Sequence, residues 1–192
     1  VDLCGHATLA AANVIFDFVD PGAGSVGVQS KSGALRVARR KDLLRLDLPC
    51  RKPAARPTPK GLDRILGAPP TEVLGARDLM AVFPDEKTVR AMTPDLAALA
   101  GLDCFAVIVT APGEQADFVC RVFAPRAGIP EDPVTGSAHC TLVPYWAERL
   151  GRNELHAFQV SERGGELFCE HRGDRVILGG RAVTYLVGMI RI

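Results

Sequence analysis

The sequence has no C-x-x-C pair, no apolar run near the ~20 residues that cross a bilayer, and no charged leader ahead of an apolar stretch. It also has almost no excess charge, with a formal net of +1. Each lack excludes something. The six cysteines (Cys4, Cys50, Cys104, Cys120, Cys140 and Cys169) read as reduced thiols, and His139-Cys140 has no partner at zinc-ligand spacing. The short apolar runs exclude a membrane partner and make the cytoplasm the expected location. Only Arg36, Arg39, Arg40 and Lys41 cluster, so no basic stripe awaits a phosphate backbone and nucleic acid is not an expected partner. What remains is a chain of 192 residues, 47% hydrophobic, enough for one large or two small globular domains.

Both structural periods alternate along it. Residues 6 to 18, "HATLAAANVIFDF", follow a glycine and stop at "PGAG", which predicts a buried helix. Strands are predicted near 25 to 30, 34 to 40 and 43 to 48, a meander turned by "KSG" and "RKD". The segment 49 to 60, "PCRKPAARPTPK", holds four prolines and no periodicity, so it reads as an extended linker between two bodies. A short helix near 61 to 66, strands near 71 to 77 and 79 to 83, and helical turns near 86 to 92 and 94 to 100 follow. "CFAVIVT" and "DFVCRVF" are strands, and "SAHCTLVPYWAERLG" is a helix ending at Gly151, with Pro144 as a kink or first-turn residue. Four strands near 155 to 161, 166 to 172, 174 to 179 and 182 to 191 close the chain.

An internal repeat underlies this order. Gly5-His6-Ala7 recurs as Gly136-Ser137-Ala138, and the same offset carries Gly33 onto Gly164, so helix, strand, glycine turn, strand, charged turn, strand occurs twice. Two copies of one unit predict a pseudo-symmetric pair of domains. In the second copy, Thr71 to Glu131 lie ahead of Asp132, the counterpart of Val1; nothing stands ahead of Val1 in the first. Since a repeat must bury its own face, about sixty further residues are expected upstream. The predicted boundaries are 1–54 plus 182–192 for the incomplete first domain and 55–181 for the second.

A helix beginning at Gly5 or Gly136 leaves first-turn amides unpaired, and glycine admits a ligand close to that backbone. Two such ends facing one cleft would hold an anion, such as the carboxylate of a small acid. His6 and Asp132 beside it could move a proton between two carbons, with neither metal nor organic cofactor implied. Bland roles stand beside these. Ser137 could cap its helix, Asp132 could form a turn, and His6 could be a core histidine. Thr8 and Thr135 could bond only local backbone, and His139 and Cys140 could simply pack.

"VDLCGHATLAAA", "GIPEDPVTGSAHC", "YWAERLG", "QVSERGGEL" and "GGRAVTYLVG" resemble the PhzF-type, phenazine-biosynthesis-like family, across essentially all 192 residues. The resemblance implies an α+β fold shared with diaminopimelate epimerase: two domains, each a curved sheet around a central helix, with the active site between them. It implies that the last strand returns to the first domain, and a homodimer is common for such a fold. The implied activity is that of a cofactor-independent isomerase shifting a proton within a small carboxylic acid. His6, Asp132 and Ser137 match the family's polar active-site residues, and Gly5, Ala7, Thr135 and Gly136 its substrate cradle. The family's proton-shuttling glutamate lies upstream of "GHAT" and matches no glutamate here. Two alternatives stay open: a binding or scaffold protein that has lost the chemistry, and a cysteine-based racemase using Cys4, whose counterpart Thr135 is no thiol.

Overall fold

The computed structural model describes residues 4–31 and 33–190. Val1–Leu3, at the predicted start of the first domain, Ser32 of the "KSG" turn and the final two residues lie outside the described residues. The chain begins with α1 (Gly5–Val14), a π-helical turn (Ile15–Val19), and the meander β1 (Ser25–Ser30), β2 (Gly33–Arg40) and β3 (Leu43–Pro49). After a two-residue β4 (Ala54–Ala55) come α2 (Leu62–Leu66), β5 (Glu72–Gly75), β6 (Leu79–Val82), α3 (Glu86–Ala91) and α4 (Leu96–Ala100). Strands β7 (Val107–Pro112), β8 (Phe118–Ala124) and β9 (Ile129–Asp132) lead to α5 (Gly136–Leu150). Strands β10 (Glu154–Gln159), β11 (Gly165–Arg172) and β12 (Arg175–Gly180) follow it.

The main sheet path runs β1-β2-β3-β12-β11-β10-β8-β7-β6-β5-β4, with β9 paired to β8. The two meanders, each preceded by its helix, therefore meet at an antiparallel β3–β12 pair, with Leu46 opposite Leu178 and Leu48 opposite Val176. This is the repeat in space: three strands on one side of a pseudo-twofold mirror three on the other. Alternation explains which face packs. Leu44, Leu46 and Leu48 in β3, and Val176 and Leu178 in β12, are all buried, while Arg45 and Asp47 between them pair with Glu170 and Arg175 on the other face.

The two helices differ in how they are covered. From Ser137 to Ala147 every residue of α5 is buried, the pattern of a helix hydrophobic all round and enclosed by its sheet. In α1, Gly5, Thr8, Ala12 and Asn13 are buried while Ala7, Ala10, Ala11 and Val14 are exposed. One core draws on both repeats, joining Phe16, Leu35 and Val37 to Trp146, Leu167 and Leu178. A second lies under α2 to α4 against β6 to β8, with Leu62, Phe83, Val89 and Leu99 at its centre.

The proline-rich linker is extended, as expected, yet anchored. The Cys50 amide donates to the Asp174 carbonyl (2.8 Å) and the Arg51 amide to the Cys140 carbonyl (2.8 Å). Pro144 is the reason the second bond exists. It lies inside α5 and has no N–H for the carbonyl four residues back, which is Cys140, so that acceptor is free for the linker.

Two departures from expectation concern the chain's later parts. β9 and the 3-10 turn before it were not expected from the sequence, since "APRAGIPED" lacks alternation. The strand expected at 182 to 191 does not form over its described part. Residues 181–190 have no regular structure, and Tyr185 and Met189 are each 98% exposed. A strand must pair its N–H and C=O groups with a neighbour. This segment has none among the described residues: it meets the first repeat through side chains, in the Arg181–Asp42 ion pair (3.0 Å) and a bond from Asn13 to Thr184 (3.4 Å), without a ladder.

Candidate active site

The two glycine-led helix starts meet. A Cβ added to Gly5 would lie 3.5 Å from the Gly136 Cα, and one on Gly136 would lie 3.6 Å from the Gly5 Cα. The first helical bonds are made by the Thr8 amide to Cys4 (3.2 Å) and the Ala138 amide to Thr135 (3.2 Å). The amides ahead of these have no acceptor within their own helix, so both positive helix ends point at one place.

Two cavities flank this contact, and Gly5, His6, Val134 and Gly136 line both. One, of about 370 Å³, is walled by Leu9, Leu46, Leu167 and Leu178, with Glu166 and Arg181 at its rim. The other, of about 320 Å³, gathers Cys4, His6, Arg77, Asp132, Thr135 and Ser137. The second gathers the polar residues marked in the sequence, and His6 opens onto both. Of the residues marked in the sequence, Ala7 lines neither cavity; it lies exposed on α1. The others are brought together.

His6 is exposed at the start of α1, its Nε2 3.6 Å from the Cys4 Sγ. Asp132 ends β9 and is half-buried; its Oδ2 accepts from the Thr135 hydroxyl (2.6 Å). Thr135 therefore bonds a side chain rather than only local backbone, whereas Thr8 does donate to the Cys4 carbonyl (2.8 Å). Ser137 is buried and does not cap α5. Thr135 holds the N-cap position, and the Ser137 Oγ accepts from the Arg77 Nη2 (3.2 Å).

Arg77 escaped the sequence reading. It projects from the turn between β5 and β6, clamped by buried Asp78 through Nε (3.0 Å) and Nη2 (2.8 Å), with its guanidinium 4.9 Å from the Phe105 ring centroid. Nothing in "GARDLM" distinguishes it from an ordinary turn arginine. The Asp132 strand is also held from behind. Arg121 in β8 grips Glu131 through two bonds (2.8 and 2.9 Å) and donates to the Met92 carbonyl (2.6 Å). The loop 132–135 rests on Gly165, where an added Cβ would come within 2.3 Å of a Val134 methyl.

Below the site, His139 is fully buried, with Nδ1 2.9 Å from the Thr135 carbonyl. Burial pulls its pKa down from 6.5 to about 4, only partly opposed by that hydrogen bond, so the ring is neutral at pH 7 with its proton on Nδ1. Burial drives the Cys120 and Cys169 thiols far above their ordinary range and Cys140 to about 11. These three are inert packing groups. All six cysteines are free, and among the described residues no cluster of His, Cys, Asp or Glu could hold a metal. No helix among them is long and apolar enough to cross a membrane.

Fold and site together define an α+β protein with two repeated units whose helix starts converge on a cavity that gathers several polar side chains. The model of the phenazine biosynthesis-like protein family matches residues 1–188, and the chain belongs to that family. An uncharacterized isomerase of Pseudomonas aeruginosa is 51% identical over the whole chain, which spans 74% of that protein. The human phenazine biosynthesis-like domain-containing protein is 36% identical over 99% of the chain and 73% of its own length. Among solved structures, the PhzF-family protein of Enterococcus faecalis superposes with a TM-score of 0.92 at 45% identity, covering 97% of this chain and 72% of that one.

Proposed function

We propose that the protein is a cofactor-independent isomerase that moves a proton between carbons of a small carboxylic acid. The observation that carries this reading is the convergence of the α1 and α5 starts on one cavity that also holds His6, Asp132 and Ser137. In it, the free amides after Gly5 and Gly136 receive the substrate carboxylate. Asp132 and His6 exchange protons with the substrate carbon framework, and Ser137, oriented by Arg77, fixes the substrate's position. The isomerase names carried by curated relatives support the general class.

The Cys4–His6 contact favours a second reading in which Cys4 is the acid–base group. The residue matched to it across the repeat is Thr135, so a two-thiol racemase lacks its second thiol. The test is proton exchange: a panel of small unsaturated and α-substituted carboxylic acids is incubated with the protein in heavy water and followed by NMR. Incorporation of deuterium at carbon, lost in Asp132→Asn by about 10²–10⁴-fold, supports the proposal. No exchange with any acid, while acids still bind, points to a binding protein of the same fold.

A further inference from the structure

Gln159, the last residue of β10, is fully buried, and every polar atom of its side chain is spent on the loop that carries Asp132. Its Oε1 accepts from the Thr135 amide (2.7 Å), and its Nε2 donates to the Asp132 carbonyl (2.6 Å) and to the Thr135 hydroxyl (3.1 Å). The orientation of the amide follows from these partners. Turned over, it would set an NH₂ against the Thr135 N–H and an oxygen against the Asp132 carbonyl.

The protons can then be counted. Gln159 Nε2 can only donate, so Thr135 Oγ1 must accept there. The hydroxyl has one proton, and it is left for Asp132 Oδ2, 2.6 Å away. The Thr135 carbonyl is occupied as well, by the His139 Nδ1 and the Ala138 amide. Asp132 Oδ1 has no hydrogen-bond partner among the described residues, and Asp132 lines the cavity.

We propose that Gln159 is a positioning residue: acting through Thr135, it directs the hydroxyl proton onto Asp132 Oδ2, so that Oδ1 is the oxygen presented to substrate. This inference rests on the reading of Asp132 as an acid–base group, and it adds a fixed proton direction to that reading. The other charged or titratable groups around Asp132 are His6 and Cys4 at the α1 start, Arg77 tied to Asp78, Glu131 tied to Arg121, and Glu162 and Arg163 after β10. None changes in the variants used below.

The experiment follows the Thr135 hydroxyl proton and the side-chain carboxyl carbon of ¹³C-labelled Asp132 by NMR at one pH, the two signals being assigned by their loss in Thr135→Val and Asp132→Asn. Wild type, Thr135→Ser and Gln159→Met are compared. In wild type and Thr135→Ser the hydroxyl proton is expected to be coupled to the Asp132 carboxyl carbon and protected from exchange with water, and in Gln159→Met the protection should fall roughly tenfold, the scale of one lost hydrogen bond. An uncoupled hydroxyl proton in wild type, or protection unchanged in Gln159→Met, would overturn the proposal. If Gln159→Met does not fold, Gln159→Leu takes its place under the same criterion, since it also lacks the donors and adds no charge. Turnover plays no part in this readout. A directed hydroxyl in a protein that exchanges no carbon-bound proton would sink the isomerase reading and leave this one standing.

Discussion

His139 should make the fold sensitive to mild acid. In the native state it is a neutral ring enclosed by the core, and its pKa falls from 6.5 to about 4. The folded value lies below the unfolded one, so the stability it permits is complete above pH 6.5 and is lost as pH falls from there toward 4. At about 1.4 kcal/mol per pH unit the whole effect is about 3 kcal/mol, of which about 2 kcal/mol has gone by pH 5. Against a typical domain stability of about 5–15 kcal/mol this is a large fraction. Paired carboxylates such as Glu170, held low by Arg172 and Arg45, add their own loss only at lower pH, so between pH 7.5 and 5 the difference between wild type and a His139 variant reads this histidine. The assay is urea unfolding at several pH values, comparing wild type with His139→Asn, whose amide can still donate to the Thr135 carbonyl. The variant starts less stable, having lost ring contact with Phe118, but its stability should stay nearly flat across this window. If both proteins lose the same stability between pH 7.5 and 5, the argument from burial fails.

The remaining predictions concern the site and its supports. Cys4→Ser should leave deuterium exchange nearly intact, whereas a collapse of exchange in a normally folded variant would make the thiol the acid–base group. Gly165→Ala forces a Cβ into Val134 and should cost about 1–3 kcal/mol. Because Val134 belongs to the loop of Asp132, exchange should fall more than stability alone explains, which parallel unfolding and exchange measurements will show. Arg77→Met strips the partner from buried Asp78 and should destabilise by about 3 kcal/mol in thermal or urea unfolding. Adding Asp78→Asn, which removes the orphaned charge, should recover part of that loss; no recovery would mean that Arg77 stabilises by packing on Phe105 instead.

Local elements and the repeat were legible because they depend on near neighbours in the chain. The meanders at 25–49 and 154–180 follow from alternation and glycine turns, and the matched glycines at Gly5 and Gly136 marked the helix starts. Asp132, Thr135, Gly136 and Ser137 were readable as a site because one short segment carries them all. The supports were not. Gln159, Arg77 and Arg121 look like ordinary strand and turn residues until the sheet brings them against that segment, 24, 60 and 10 residues away in the bonds to Thr135, Ser137 and Glu131.

Pro144 shows the division in a single residue. Its sequence position dictates a missing N–H and a free Cys140 carbonyl; that the Arg51 amide occupies it follows only from the packed arrangement of linker and helix. The same holds for the segment after Gly180. Its β-branched and aromatic residues favour an extended chain, but a strand exists only where a neighbour supplies the other half of each hydrogen bond, and that is a property of the assembled sheet. The sequence by itself determined the repeated elements, the two helix starts and the candidate polar residues gathered at them, because these rest on backbone preferences and spacing. Only the tertiary structure decided which buried polar groups hold them, because a hydrogen bond between distant residues is set by where the packed core places its donors and acceptors.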